Sequence, residues 1–305
     1  MNKPASDGVN CAGLILNTWQ ASGLGGYDRA MSSSGSGEPL HFLHGNGFCG
    51  LTLAPLARAL SSPDQPLLFT DLPGHGIAPT PEATHPDWND MGRRVADSLA
   101  SRSDRPVTAI GHSMGGVVTL LAAAQFPDLF RRVVLLDPVL FIREIVFYQR
   151  VMRVTGLWRR RALVRSANDR RSSWPDKLAM AEDLGKKRLY RDWHPDALQA
   201  FVDYGSCDDG QSGVRLACSP QWEAANFGAY PRKLWHAIST VKVPVDIVVA
   251  SKSYPFIPPA VRRAVASNPA IKAHQFEGGH CFPMEFPEVA GAFISDILKE
   301  SEQRR

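Results

Sequence analysis

The sequence predicts an α/β protein built on a doubly wound, mostly parallel sheet, with a helical segment inserted before its last strands. Three observations carry that prediction. Short, continuously apolar runs alternate with stretches of helical spacing over the first 140 residues. The same pattern resumes near residue 245, after a block from about 139 to 239 in which strand-like runs nearly vanish. The runs are continuous rather than alternating, as in strands covered on both faces of a parallel sheet.

Taken in order, an apolar run at 14–16 reads as an edge strand, and the Ser- and Gly-rich stretch at 32–37 as a flexible turn. Buried strands are expected at 40–43, 67–70, 107–110 and 133–136. Leu53, Leu56, Ala57 and Leu60 keep helical spacing between them, as does the stretch from Val117 to Ala124. Within 139–239, Ile142, Ile145 and Val146, then Leu198, Phe201 and Val202, again take helical spacings, with one small hairpin expected around Val214, Arg215 and Leu216. Strand character returns at 245–250 and 273–276. Val289, Ala292, Phe293 and Ile297 mark an amphipathic closing helix over 288–298. The expected division is a core of 1–138 and 240–305 around a helical cap of 139–239.

Composition narrows the class. Of 305 residues, 44% are apolar and 21% charged, ordinary for a globular chain. A net charge of +4 is too small to argue for nucleic acid, and no such partner is expected. Five cysteines are scattered without a CxxC pair, which is neither a disulfide framework nor a zinc site. Met1-Asn2-Lys3-Pro4 is followed by no apolar run of signal-peptide length. No run approaches the roughly 18 apolar residues of a membrane span, so a cytoplasmic protein without membrane contact is expected. The block 139–239 holds five of the seven tryptophans, and seventeen Lys and Arg against eleven Asp and Glu.

The sharpest chemical signal is Gly111-His112-Ser113-Met114-Gly115-Gly116, which follows an apolar strand and opens a helix. A nucleophilic serine needs such a strained strand-to-helix turn, with small flanking residues that let the backbone fold sharply. The second signal, His44-Gly45-Asn46-Gly47, follows the strand at 40–43. The backbone N–H groups of Asn46 and Met114 are the candidates for an oxyanion hole. The third is Gly278-Gly279-His280, where a neutral imidazole would accept the serine proton and return it to the leaving group.

Together these elements resemble the α/β-hydrolase superfamily, over most of the chain. Asp71-Leu72-Pro73-Gly74-His75-Gly76 is similar to the turn these proteins carry before the nucleophile strand. Gly279-His280, with Pro283, Glu285, Pro287 and Glu288 beyond it, resembles their histidine loop and last helix. The block 139–239 sits where the family inserts its cap. Position 113 is serine, unlike the aspartate nucleophile of haloalkane dehalogenases and most epoxide hydrolases, although His44-Gly45-Asn46 looks dehalogenase-like. Many members carry their acid after the strand that follows the cap, but Ala250-Ser251-Lys252-Ser253-Tyr254-Pro255 holds no carboxylate. Asp137 is the candidate instead, at a strand end where a subset of the family keeps its acid; the alternative role is to cap the turn into Pro138. Asp246 opens its strand and lies at the wrong end of the sheet.

The expected function is cleavage of a carboxylic ester of a small or medium-sized acyl substrate, through an acyl-enzyme on Ser113, with no cofactor and no metal. Lactone, thioester, amide or C–C bond cleavage by the same residues stays open, as does a non-catalytic receptor on the same fold. Cys49 and Cys281 read as packing residues, and His75 as the organiser of its turn. Nine arginines lie between Arg143 and Arg171. They suit a solvated helical face, contact with an anionic membrane, or steering of acidic substrates; the first is favoured, and steering leads the functional readings.

Overall fold

Successive side chains of a strand point to opposite faces, and in this chain both faces of the central sheet are covered. The computed structural model describes residues 8–29, 37–82 and 85–302; most of the turn expected at 32–37 lies outside them. The strands are β1 (Val9–Cys11), β2 (Leu14–Ala21), β3 (Leu24–Arg29), β4 (Leu40–Leu43), β5 (Leu67–Asp71), β6 (Val107–His112), β7 (Phe130–Leu136), β8 (Ser173–Trp174), β9 (Ser206–Asp208), β10 (Val214–Leu216), β11 (Val245–Lys252) and β12 (Ile271–Gly279). The helices are α1 (Ala54–Leu60), α2 (Trp88–Arg102), α3 (Met114–Gln125), α4 (Arg143–Val154), α5 (Ala162–Asn168), α6 (Lys177–Gly185), α7 (Pro195–Tyr204), α8 (Pro220–Phe227), α9 (Leu234–Thr240), α10 (Ile257–Ser267), α11 (Phe282–Glu285) and α12 (Pro287–Glu302).

The main sheet has the order β1-β2-β3-β5-β4-β6-β7-β11-β12. From β5 to β12 every neighbouring pair is parallel, while β1, β2 and β3 add an antiparallel ribbon at one edge. Leu43, Val107, Ala109, Val133, Leu135 and Ile247 point to one face, into a core shared with α2, α3 and α10. Phe42, Ile110, Val134, Leu136 and Val248 point to the other, into a core shared with α1 and α12. Each such side chain contributes about 1.5–3 kcal/mol when fully buried, which is why these strands read as unbroken apolar runs. The chain runs from β4 out to β5 and returns to β6 on the other side of β4. That reversal opens a crevice at the carboxyl ends of the strands.

Three differences from the expected pattern have physical causes. The edge ribbon is longer than 14–16, because β3 carries Gly25 and Gly26 and so lacks a strand-like apolar run. β12 extends well beyond 273–276, since this edge strand mixes exposed residues among a few buried ones and so lacks a continuous apolar run. Helix α2 also lies outside the expected elements, yet its signals are present. The Asp87 carboxylate accepts from the N–H groups of Asn89 and Asp90, and Trp88, Met91, Val95 and Leu99 bury one helical face.

Between β7 and β11 lie α4 to α9 and a small antiparallel sheet of order β8-β10-β9. The β9–β10 pair, with Leu216 opposite Ser206, coincides with the expected hairpin. Helix α8 is bound tightly to the main sheet's loops. Ser219 caps it, Trp222 donates its indole N–H to Pro73 O at 2.7 Å, and Trp88 donates to Asn226 at 3.2 Å.

Candidate active site

Ser113 sits between β6 and α3 with φ 55° and ψ −117°, a left-handed conformation that costs a non-glycine residue about 1–3 kcal/mol. Its N–H donates to Leu136 O at 3.0 Å, and its carbonyl accepts from Val139 N at 3.3 Å, so the end of β7 and the turn after it hold both sides of the residue. A Cβ on Gly115 would lie 2.3 Å from His44 O and 2.5 Å from Leu43 O. The backbone there has room for glycine alone, which accounts for the second glycine of the motif.

The Ser113 hydroxyl donates to His280 Nε2 at 2.9 Å, and His280 Nδ1 meets Asp137 Oδ2 at 2.6 Å. A carboxylate at Nδ1 keeps the proton on that nitrogen and leaves the Nε2 lone pair facing the hydroxyl. Asp137 follows β7 and is completely buried. Its Oδ1 accepts from Ala250 N at 3.0 Å, and its Oδ2 from the Ser253 hydroxyl at 2.8 Å. The carboxylate-free loop after β11 therefore takes part by holding the acid. Asp246 lies elsewhere, bonded to His274 at 2.8 Å and paired with Arg132.

The glycine-rich loop after β4 presses against Ser113: a Cβ on Gly45 would come within 3.2 Å of the Ser113 Cβ. Asn46 and Met114 line the same cavity as Ser113 and His280. Met114 opens α3, where first-turn N–H groups lack intrahelical acceptors. Two neutral imidazoles brace this loop. His44 accepts from Leu72 N at 3.0 Å and His75 from Gly47 N at 3.1 Å. His75 thus organises more than its own turn. Burial pushes His75 down to about 4, against the backbone hydrogen bonds it makes.

Several participants lie outside the sequence candidates. His112 bonds the His280 carbonyl at 2.9 Å through Nε2, and burial, together with nearby His280, pushes His112 down to about 3. Tyr254 lies with its ring 4.8 Å from that of His280. Glu223 on α8 accepts from Asn46 Nδ2 at 3.0 Å through its carbonyl and pairs with Arg170 at 2.8 Å. His112 was visible as a neighbour of Ser113. Ser253 and Glu223 carry no sequence signal, because tertiary folding alone brings them to the site.

The cavity above Ser113 has a volume of about 680 Å³, with walls that include Phe48, Trp88, Phe141, Tyr190, Tyr254 and Phe256. Of the nine arginines, Arg161, Arg170 and Arg171 line it. Arg153 and Arg159 lie over the Trp158 ring instead. Cys49 and Cys281 are buried; burial pushes the Cys281 thiol up to about 12 and raises that of Cys49 well above its usual range, so neither is a thiolate nucleophile. Among the described residues no group of three or more His, Cys, Asp or Glu is arranged to hold a metal ion.

Comparison with known proteins gives matches at three levels. The alpha/beta hydrolase family model matches residues 42–292. Lipase LipV of Mycobacterium tuberculosis is 37% identical over 89 residues, 28% of this chain and 33% of the relative. The 2-(acetamidomethylene)succinate hydrolase of Mesorhizobium japonicum is 32% identical over 103 residues, 34% of this chain and 36% of the relative. The chain thus spans about a third of the length of these curated relatives. The crystal structure of E-2-(acetamidomethylene)succinate hydrolase superposes with a TM-score of 0.72 at 21% identity, covering 97% of this chain and 99% of that one; this likeness speaks for the fold.

Proposed function

Since this chain belongs to the alpha/beta hydrolase family, we propose that it is a serine hydrolase cleaving the carboxylic ester of a small or medium-sized acyl substrate. The observation that carries the reading is the pair of hydrogen bonds joining Ser113 to His280 at 2.9 Å and His280 to Asp137 at 2.6 Å. In this reading Ser113 Oγ attacks the acyl carbon while His280 Nε2 takes its proton. Asp137 stabilises the imidazolium, and the N–H groups of Asn46 and Met114 hold the oxyanion. His280 then protonates the departing alcohol. Water deprotonated by the same nitrogen attacks the acyl-enzyme, and the acid is released as Ser113 recovers its proton.

Residues 139–239 serve as the cap, supplying Gln149, Arg170, Tyr190 and Glu223 to the cavity wall. A volume of about 680 Å³ suits one drug-sized molecule, and the aromatic walls favour an apolar acyl or alcohol part. The five unbridged cysteines support a cytoplasmic setting. The test is a matched panel of ester, thioester, lactone and amide substrates of one acyl group. The ester is expected to give the highest kcat/KM. A different best bond would move the assignment to that bond, and no turnover of any member would favour a receptor.

A further inference from the structure

Helix α4 packs Val146 and Met152 on the cores beneath it but leaves a second apolar stripe facing outward. Phe147, Val151 and Val154, spaced four and three residues apart, form one stripe, and they are 68%, 42% and 80% exposed. Tyr148 lies beside them, 53% exposed. Gln149 points the other way. It is buried, lines the cavity above Ser113, and its Oε1 has no hydrogen-bond partner. Leu157 and Leu163, which follow the helix in the chain, are exposed as well. Six of the thirteen large apolar residues exposed among the described residues thus fall between positions 147 and 163. Such clustering marks a contact surface, whereas scattered exposed apolar residues would not.

The rim of this patch is basic. Arg143 and Arg150, seven residues apart, run along one edge of the stripe, and exposed Arg160 follows beyond the helix. From 143 to 168 there are seven arginines and one acid, Glu144, and Glu144 is paired with Arg263. A second copy docked by twofold symmetry would set this basic rim against itself, which opposes that occupant. An apolar stripe edged by arginines complements a surface of anionic headgroups over acyl chains. Leu163, Leu189 and Tyr254 are exposed and line the cavity as well, so the cavity mouth opens close to the patch. Among the described residues no helix is long and apolar enough to cross a membrane, so the contact is peripheral.

We propose that the outer face of α4, with Leu157 and Leu163, docks on an anionic lipid surface. This departs from the sequence expectation of no membrane contact. It stands apart from the hydrolase reading, because docking is measured without turnover. The experiment is flotation of the purified full chain with vesicles of phosphatidylcholine alone or phosphatidylcholine mixed with phosphatidylglycerol, at low salt. The parent is expected to bind the anionic vesicles roughly tenfold or more tightly than the neutral ones. Replacing Phe147, Val151 and Val154 together by Gln should weaken binding by about tenfold or more at unchanged circular dichroism. A second variant, Arg150→Glu with Arg160→Glu, should abolish the preference for anionic lipid. Failure of the parent to bind, or binding by both variants as tight as the parent's, overturns the proposal. So does a dimer in solution that the Gln variant splits, which would make a second copy the occupant.

Discussion

The strand-end site and helix α4 face the same cavity but are built on opposite principles. At the strand ends the acid and the nucleophile turn are held, Asp137 by Ala250, Ser253 and His280 and the Ser113 backbone by Leu136 and Val139, while Asn46 Oδ1 and His112 Nδ1 beside them have no hydrogen-bond partner. On α4 a polar amide is buried with its oxygen unpartnered, while the apolar stripe faces outward. A buried unsatisfied polar group costs about 1–3 kcal/mol, and an apolar side chain left exposed forgoes about as much burial energy. One region is finished by the fold. The other is completed by something it meets.

If that contrast is sound, the largest effects belong to the finished site. Ser113→Ala should lower ester turnover by about 10⁴-fold or more while leaving the fold intact. Parent-like rates in that variant would remove the nucleophile assignment. Asp137→Asn should cost roughly 10²- to 10⁴-fold in kcat, by leaving His280 in the wrong tautomer. Ser253→Ala removes one of several partners of the same carboxylate, so its loss should stay within about tenfold. Equal losses in the two variants would mean that Asp137 acts structurally, through the loop after β11.

The contrast also explains what was legible in the sequence. Gly115 and Ser113 occupy backbone positions that few residues tolerate, so the residue types themselves disclose the turn. Asp137 and His280 were readable from strand ends and chain order. Ser253 and Glu223 were not, since a hydroxyl or carboxylate in a loop or helix says nothing of its long-range partner. For α4, periodicity disclosed a helix, but which face turns inward depends on what packs there. Ile142 and Val146 do pack on the core, while Phe147, Val151 and Val154 do not.

A further measurement concerns the packing beneath the finished site. Burial holds His41 and His112 down to about 3 and His75 to about 4. Burial, helped by His75, keeps His44 well below its usual range. In the unfolded chain these groups take up protons near pH 6.5. Their folded values are depressed, so the stability they confer is complete above about pH 6.5 and is lost as pH falls toward 4 and 3. Asp71 acts in the other direction, since burial raises its carboxyl to about 6. Its contribution is present at low pH and lost as pH rises through that value; burial also raises the carboxyls of Asp28, Glu223 and Glu285, but among these acids only Asp71 shifts far, so the histidines set the sign. The urea midpoint should therefore fall from pH 7 to pH 5. A midpoint unchanged or higher at pH 5 would contradict the neutral buried imidazoles.

The smallest effect is expected from the arginines at the cavity. Arg170 is paired with Glu223 and Arg171 lies 3.9 Å from Asp183, which leaves Arg161, bonded to the Phe227 carbonyl at 3.2 Å, as the cavity arginine without a carboxylate partner. The kcat/KM of an anionic ester should exceed that of a neutral isostere by only about a few fold. The excess should vanish near 1 M salt, where the Debye length is about 3 Å. A large, salt-resistant preference would mean that a buried arginine binds the substrate directly.

The most direct test of the central claim is the site of covalent capture. The parent, Ser113→Ala and Asp137→Asn are each treated with a fluorophosphonate, and the adduct is located by peptide mass spectrometry. The account predicts one adduct, on Ser113, formed quickly in the parent, slowly in Asp137→Asn and not at all in Ser113→Ala. An adduct on another residue, or an unmodified parent, would contradict it.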